Sequence, residues 1–301
     1  MAERDHKRDR MRLERFGDIG AFAARVEPYL LAHEATHCLP LGLLATLPGE
    51  PLANGETPYM ALVEDQGAVV LGALRTPPFG LIVSLLAAEV AGNPEATNEV
   101  LALVADDVAN RYAGRLLGVN GPAAVSRLFA EQWERRMGRS ARLIVQERVY
   151  QLETVIPASA PGTMRPVNDS DRDLLTRWMA KFAAEALAHE AIDPAVWVER
   201  YLASPSRGGY LWEDGVPVTW VGYGNPTAHG IRIGPVYTPP EQRGHGYASA
   251  CVAATSQRRL NGGRTFCFLF TDLANPTANH IYQTVGYNPI NDVDVYEFQM
   301  E

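Results

Sequence analysis

The stretch Tyr237–Ala248, YTPPEQRGHGYA, decides the fold class of this chain. It follows a strand-like segment, Gly230–Tyr237, and ends where a helical pattern begins. Gly244 and Gly246 have no Cβ, so the backbone there can adopt unusual dihedral angles and approach a ligand closely. The amides of a helix's first turn have no intrahelical partner, and the helix dipole attracts an anion to them. This order of elements predicts a pyrophosphate site, to which Arg243 adds a positive charge.

Two familiar phosphate-binding loops differ from this one. A Walker A loop requires Lys and then Ser or Thr after its second Gly, where this chain has Tyr247 and Ala248. A dinucleotide fingerprint requires a third Gly, where this chain has Ser249, and an acidic residue about 20 residues further on, which Thr265–Phe270 does not supply. A nicotinamide-dependent oxidoreductase is therefore an alternative that the missing Gly argues against.

The segments on both sides of the loop predict an α/β fold. Helices are predicted at Leu174–Leu187, Tyr247–Leu260 and Asn275–Val285, and strands at Tyr210–Trp212, Val216–Tyr223, Gly230–Tyr237, Thr265–Phe270 and Val293–Phe298. Thr265–Phe270, TFCFLF, is apolar almost throughout, as expected of a strand that is buried on both faces. The order α, β, β, β, α, β, α, β predicts a mixed sheet flanked by helices.

The loop and the last predicted helix resemble one known family. Arg243–Ala248 fits Q/R-x-x-G-x-G/A, the coenzyme A signature of the GNAT superfamily of N-acetyltransferases. The downstream series N-x-x-x-N-x-x-Y-x-x-x-G-Y is similar to the last helix and following strand of GNAT enzymes, and it is formed by Asn275, Asn279, Tyr282, Gly286 and Tyr287. Roughly residues 160–301 are therefore identified as resembling a GNAT domain.

The first half resembles a degenerate GNAT domain. Its predicted elements are helical pieces in Ile19–Leu47 broken by Pro28 and Pro40, strands Tyr59–Val63 and Ala68–Leu74, and helices Asn98–Leu117 and Ala123–Met137, separated by 118–122. Arg75–Gly80 follows the strand pair, and the coenzyme A signature is missing there. Pro157–Gly162, PASAPG, cannot continue a helix or a central strand, so it marks the boundary. The resemblance implies two GNAT-like (acyl-CoA N-acyltransferase) domains, each a mixed sheet flanked by helices: a degenerate one at 1–157 and an acetyltransferase at 158–301.

The resemblance also implies a site for acetyl-CoA, used as a cosubstrate, in the V between strands Gly230–Tyr237 and Thr265–Phe270. An N–H near Val236 would polarise the thioester carbonyl. The residues expected to contact the cosubstrate are Val236, Tyr237, Thr238, Arg243, Gly244, His245, Gly246, Tyr247, Ala248, Asn275 and Asn279. Tyr282 matches the family's general acid, because a phenol with a pKa of ~10 can protonate the leaving thiolate at neutral pH. Tyr282 also lies in a stripe of apolar residues at helical spacing, so the alternative is that it is a core residue without a catalytic role.

The acceptor and the general base are less well defined by the sequence. A small-molecule or peptidyl amine is the expected acceptor, and the acidic balance of the chain favours a cationic one. His189, Glu190 and His229 are candidates to border its site, whereas Glu241 lies too near the phosphate loop to act as a base. A catalytically silent sensor that binds acetyl-CoA or CoA is the alternative function.

His33–His37, HEATH, is a literal HExxH, the zinc motif of metalloproteases when it lies on a helix. Pro40 ends any helix soon after it, and no third histidine follows at close range. Glu50 or Glu56 could supply a third ligand, but nothing in the sequence marks either one. We therefore predict no metal site, and a zinc hydrolase is the remaining alternative.

Composition sets the outer bounds on function. The 301 residues, 47% of them hydrophobic and 21% charged, suit two globular domains, and the net charge of −8 makes nucleic acid or an anionic membrane a poor partner. Cys38, Cys251 and Cys267 stand too far apart for a cysteine zinc site, and the last two are expected to be buried. No signal peptide or run of ~20 apolar residues is present, so a cytoplasmic protein is expected. A homodimer is compatible with the sequence.

Overall fold

Helices and strands alternate along the chain in the computed structural model, which describes residues 11–47, 56–112, 115–187 and 192–299. The strands in these residues are β1 (Met11–Arg15), β2 (Tyr59–Asp65), β3 (Ala68–Arg75), β4 (Leu81–Val83), β5 (Gly118–Pro122), β6 (Ala141–Leu152), β7 (Thr163–Pro166), β8 (Gly208–Asp214), β9 (Val216–Gly224), β10 (Gly230–Tyr237), β11 (Phe266–Asp272) and β12 (Asn288–Phe298). The α-helices are α1 (Ile19–Leu31), α2 (Cys38–Thr46), α3 (Ala88–Ala91), α4 (Pro94–Tyr112), α5 (Ala123–Met137), α6 (Arg172–Ala186), α7 (Pro194–Ala203), α8 (Tyr247–Asn261) and α9 (Pro276–Val285).

The chain forms two compact units whose bounds differ from the predicted domains of 1–157 and 158–301. The first unit contains Met1–Glu147 and Asn291–Glu301, and the second contains Arg148–Ile290. The predicted boundary segment therefore lies inside the second unit, where Trp212 Nε1 donates a hydrogen bond to the Pro161 carbonyl at 2.7 Å. A proline-rich segment lacks regular structure, but its carbonyls can still be bound by a packed neighbour, so it need not be a linker.

In the first unit the strand order is β1-β2-β3-β4-β5-β12-β6. Successive side chains of a strand point to opposite faces, and each face of this sheet packs against helices. Tyr59 of β2 packs with α4 and α5, whereas its neighbour Met60 packs with α1 and α2. Phe298 of β12 stacks on Trp133 of α5, with 5.3 Å between ring centroids. The last strand of the chain is thus part of the first unit's core.

Two features of the first unit differ from the sequence-based expectation. Pro28 lies inside α1, which runs on to Leu31. The segment 118–122, expected only to separate two helices, forms β5 and pairs antiparallel with β12, for example Val119 with Tyr296. A five-residue segment with two glycines and a proline has little strand propensity of its own, so the distant partner strand decides its structure.

In the second unit the strand order is β6-β11-β10-β9-β8-β7. β10 and β11 are parallel, and β7 to β10 are antiparallel neighbours. One face packs against α8 and α9 through an apolar cluster that includes Ile231, Ala250 and Val285. The other face packs against α6 and α7 through an aromatic-rich cluster that includes Trp178, Tyr201 and Trp220. The predicted helices of this half are present, and α7 is an addition to them.

Cys38, Cys251 and Cys267 are all buried and form no disulfide bond, and burial was the expectation for Cys251 and Cys267. Burial raises the pKa of both of these thiols to about 12, so they stay protonated and unreactive at neutral pH. Among the described helices, none combines the length and apolar character that crossing a bilayer demands.

Candidate functional site

The two parallel strands β10 and β11 separate partway along their length. They pair at only three positions, Gly230 with Phe266, Ile231 with Cys267 and Arg232 with Phe268. Both strands continue beyond the last pair, β10 to its residue 237 and β11 to its residue 272. Their unpaired ends open a V whose backbone groups on the inner edges are available to a ligand.

A β-bulge lies in β10 at the start of this opening. The register between β10 and β9 shifts between Ile233 and Val236. Gly222 of β9 lies close against the bulge, since a Cβ there would come within 2.9 Å of the Gly234 carbonyl oxygen. A bulge leaves backbone groups outside the ladder and re-aims them, which suits a strand whose amides must face a bound molecule.

The Gly-rich loop beyond β10 leads directly into α8. Gly244 and Gly246 both have φ of +81°, a left-handed conformation that glycine adopts without strain. Gly246 is the N-cap residue of α8, and no side chain caps this helix start. A Cβ at Gly244 would meet nothing within 4 Å, so the space above the loop is open. The first-turn amides of α8 are therefore accessible to an anion, and the loop fits a pyrophosphate.

Arg243 is held at the edge of this loop by two contacts. Its Nε donates to the Thr238 carbonyl at 2.9 Å, and its Nη2 donates to the Glu185 carboxylate on α6 at 2.7 Å. Both members of the ion pair are about half exposed, 48% and 47%. An exposed pair of this kind contributes little to stability, so Arg243 can exchange Glu185 for a phosphate at low cost.

The other predicted loop residues occupy distinct positions. His245 is exposed and its ring stacks on that of Tyr247, with centroids 5.5 Å apart. The Tyr247 side chain is buried and donates a hydrogen bond to Asp214 at 2.6 Å, so only its amide faces the loop. Ala248 follows in the first turn of α8. The side chain of Tyr237 is buried against Trp178, 5.8 Å between ring centroids, which leaves its backbone for contact with a ligand.

Asn275 and Asn279 hold the start of α9 in place. The Asn275 side chain caps the helix by accepting a hydrogen bond from the Ala278 amide at 3.0 Å. Asn279 Nδ2 donates to the carbonyls of Asp272 and Asn275, and its Oδ1 accepts from the Tyr150 hydroxyl at 3.0 Å. These bonds fix the turn between β11 and α9 and tie it to β6, and contact of either side chain with acetyl-CoA stays a prediction.

Tyr282 lies on α9 with its ring in the apolar cluster that includes Ile231 of β10. Its ring is 5.9 Å from that of Tyr287 and 6.4 Å from that of Tyr150. The hydroxyls of those two tyrosines are hydrogen bonded, to Ser256 and to Asn279 respectively. The Tyr282 hydroxyl has no such partner among the described residues. Burial raises the pKa of Tyr282 to about 12, so the phenol stays protonated and free to donate.

The candidates for the acceptor side do not converge on one group. His189 and Glu190 lie outside the described residues, and Glu241 is exposed in the short turn of 3₁₀ helix before the Gly-rich loop. His229 is exposed in the turn before β10. The structure adds one group that the sequence analysis did not single out, Arg232 at the last β10–β11 pair. Strand alternation predicts which face of the sheet Arg232 is on, but it does not predict that the two strands separate beside it.

The HExxH segment in the first unit is a turn between α1 and α2, not a helix. His37 is buried, its Nδ1 donates to the Leu30 carbonyl at 2.9 Å, and its Nε2 accepts from the Leu85 amide at 3.0 Å. Both ring nitrogens are thus bound by the backbone, and neither can ligate a metal. Within the described residues, no three His, Cys, Asp or Glu side chains are grouped so that they could hold a metal ion.

The same contacts predict a pH-dependent stability. Burial lowers the pKa of His37 from 6.5 to about 4. His37 therefore takes up a proton below about pH 6.5 in the unfolded chain, but only below about pH 4 in the folded chain. The contribution of His37 to the unfolding free energy is therefore fully present above about pH 6.5, and it is lost as the pH falls toward 4. When the pH is lowered from about 7.5 to about 5.0, titration of His37 should reduce the unfolding free energy of the wild type by roughly 2 kcal/mol. His37→Gln lacks this titrating group, so its unfolding free energy should fall by that much less. Urea unfolding at both pH values measures this. His280→Gln, which changes an exposed histidine that does not contribute to the His37 pKa, is the control, and an equal effect there would contradict the assignment.

The part of the chain that contains this site matches one protein-family model. The model described as the acetyltransferase (GNAT) family matches residues 173–287, which cover α6 to α9 and β8 to β11. No curated protein sequence matches the chain.

Solved structures resemble the chain over nearly its whole length. One is a tandem GNAT protein from the clavulanic acid biosynthesis pathway, with 13% identity, 96% of this chain and 98% of that chain covered, and a TM-score of 0.58. A GNAT-family acetyltransferase from Colwellia psychrerythraea has 14% identity, 96% and 100% coverage, and a TM-score of 0.57. A GCN5-related N-acetyltransferase from Sphaerobacter thermophilus has 17% identity, 96% and 95% coverage, and a TM-score of 0.57. At such identities the likeness shows the fold, and it confirms the prediction of two GNAT-like domains.

Proposed function

We propose that this chain, whose residues 173–287 form a GNAT acetyltransferase domain, moves the acetyl group of acetyl-CoA to the nitrogen of an amine. Acyl-CoA-dependent acetyl transfer is the general activity of that family. The observation that supports it most here is the V between β10 and β11, which opens toward the uncapped start of α8. A parallel strand pair that separates beside a free helix N-terminus offers one continuous surface for the long, anionic CoA molecule.

The donor's pyrophosphate is assigned to the amides of the Gly-rich loop and the first turn of α8, together with Arg243. The amides of Gly244, Gly246 and Ala248 supply hydrogen-bond donors, and the dipole of the fifteen-residue helix α8 adds its positive end. The pantetheine arm is assigned to the exposed backbone of β10 from Val236 onward. In each case the backbone makes the contact, so the side chains of His245 and Tyr247 are free for other contacts.

The acetyl thioester supplies an activated acyl group. The protein orients this group and donates a proton to the leaving sulfur. The proposed donor to the thioester carbonyl is a backbone N–H of β10 near Val236, and the register shift between Ile233 and Val236 supports it because it interrupts the regular ladder with β9 there. Tyr282 is the proposed general acid, because its hydroxyl is protonated, has no hydrogen-bond partner among the described residues, and its ring belongs to the apolar cluster that contains Ile231 of β10. The acceptor is a small-molecule or peptidyl amine, and the residue that removes its proton is not assigned.

Calorimetry with the full-length protein tests the donor assignment. We expect acetyl-CoA to bind with one site per chain, and NAD, which shares the pyrophosphate but not the pantetheine arm, to bind much more weakly. Tight binding of NAD without binding of acetyl-CoA would overturn the proposal in favour of the nicotinamide alternative.

A further inference from the structure

Arg232 lies at the point where β10 and β11 separate. It is the last residue of β10 that pairs with β11, opposite Phe268. Its guanidinium carbon lies 5.1 Å from the ring centroid of Phe270, a β11 residue beyond that last pair. The Arg232 side chain therefore reaches across the opening of the V from one strand to the other.

This cation has no counter-charge in the described part of the second unit. Arg232 makes no ion pair or hydrogen bond there, and its contact with Phe270 is to a ring face. By contrast, Arg165 pairs with Asp171 and Glu213. Arg232 is half-buried, so its charge is partly shielded from water and acts strongly on nearby groups. A half-buried cation that has no ion-pair partner among the described residues and lies at an open cleft suits a ligand that develops negative charge there.

The Tyr282 hydroxyl lies within the field of this cation. Burial raises the pKa of Tyr282, and the positive charge of Arg232 acts in the opposite direction. The two side chains come from different elements, β10 and α9. Ile231 and Ile233 pack in the same cluster as Tyr282, so strand alternation directs Arg232 to the opposite face of the sheet. Tyr282 would supply a proton to the V from one face, and Arg232 a fixed charge from the other.

We propose that Arg232 is a further catalytic residue, whose guanidinium stabilises the negative charge that forms on the leaving sulfur; this rests on the acetyl transfer proposed above. In that step the acceptor nitrogen forms a bond to the acetyl carbon and the carbon–sulfur bond breaks, with its electron pair staying on sulfur. The sulfur receives the Tyr282 hydroxyl proton, and the acceptor nitrogen releases one to solvent, which restores Tyr282. The cation is present before the reaction, so no reorganisation is needed when the charge appears.

The test is the pKa of the CoA thiol in its complex with the protein, read from thiolate absorbance as the pH is raised. A cation beside the sulfur lowers this pKa, so Arg232→Gln should raise it by about 1 unit relative to the wild-type complex. Arg232→Lys keeps the positive charge, so most of the lowering of the thiol pKa should remain.

Arg258→Gln is the matched control. Arg258 also stacks on a ring, that of Tyr210 at 5.5 Å, but it lies on α8. We expect the CoA thiol in the Arg258→Gln complex to have the same pKa as in the wild-type complex. We also expect kcat to fall about 10–100-fold in Arg232→Gln and to stay unchanged in Arg258→Gln.

The outcomes separate this proposal from the one it rests on. Binding of CoA with the same thiol pKa in the wild type and Arg232→Gln would overturn the role of Arg232 and leave the transferase intact. A loss of rate confined to acceptors that carry a carboxylate would also overturn it, since Arg232 would then bind the acceptor. Failure of the wild type to bind CoA would overturn the proposed function itself. Near-UV circular dichroism checks that each variant is folded.

Discussion

Gly246→Asp is expected to weaken acetyl-CoA binding at least about 100-fold, a loss of roughly 3 kcal/mol, while the protein stays folded. Gly246 is the N-cap residue of α8, so an aspartate there would bring a negative carboxylate beside the first-turn amides. These are the amides assigned to the pyrophosphate, so the side chain would occupy the site and repel the ligand. The left-handed φ of +81° at Gly246 strains a substituted residue, but aspartate tolerates this conformation better than most residues and a Cβ there meets nothing closer than 3.7 Å, so we expect a moderate loss of stability and a folded protein.

A matched control comes from the other end of the same helix. Gly263 also has a left-handed φ, +96°, and a Cβ there would meet nothing within 4 Å. Gly263→Asp adds the same charge and the same backbone strain far from the loop, so its dissociation constant for acetyl-CoA should match the wild type. Calorimetry on the three proteins measures the difference. Equal affinity in Gly246→Asp and the wild type would show that the donor does not use this helix start.

Tyr282→Phe is expected to lower kcat about 100-fold and to leave the affinity for acetyl-CoA unchanged. The ring keeps its packing against Tyr150 and Tyr287, and the lost hydroxyl has no hydrogen-bond partner among the described residues, so stability should hardly change. Because the pKa of Tyr282 is raised to about 12, its ionisation should cause no fall in rate between about pH 7 and about pH 10. Steady-state kinetics at several pH values measures both effects.

Tyr287→Phe is the control, because this variant should lose stability and keep its kcat, whereas Tyr282→Phe should lose kcat and keep its stability. The Tyr287 hydroxyl bonds that of Ser256 at 2.8 Å in the buried core. Its removal should cost about 1 kcal/mol of unfolding free energy while kcat stays near the wild-type value. If Tyr282→Phe behaved in the same way, with lower stability and an intact kcat, Tyr282 would be a core residue and not the general acid.

The local structure of the second unit was largely predictable from its sequence. The apolar spacing of Tyr247–Leu260 gives α8, which runs over Tyr247–Asn261 in the structure. Asn275 predicted the start of α9, where its side chain is the cap. The two glycines of the loop predicted the unusual dihedral angles found at both. Such features depend on a few neighbouring residues, so a sequence pattern contains them.

The features that the sequence did not predict depend on distant partners. β5 forms because β12 pairs with it, and nothing within Gly118–Pro122 indicates that partner. The proline-rich segment is held in the second unit by Trp212, a residue far along the chain. Arg232 has an ordinary position in an alternating strand, and only the separation of β10 from β11 places its charge in a cleft. Contacts between remote segments decide these features, and a single sequence does not show them.

Acetyl transfer is tested most directly by the release of CoA thiol from acetyl-CoA across a panel of amines, with the wild type assayed beside Gly246→Asp. We expect at least one class of amine to accelerate thiol release by the wild type, the acetylated amine to be the product, and the variant to be inactive. Acetyl-CoA binding with no thiol release for any amine would contradict this expectation and would make the protein a CoA-binding sensor.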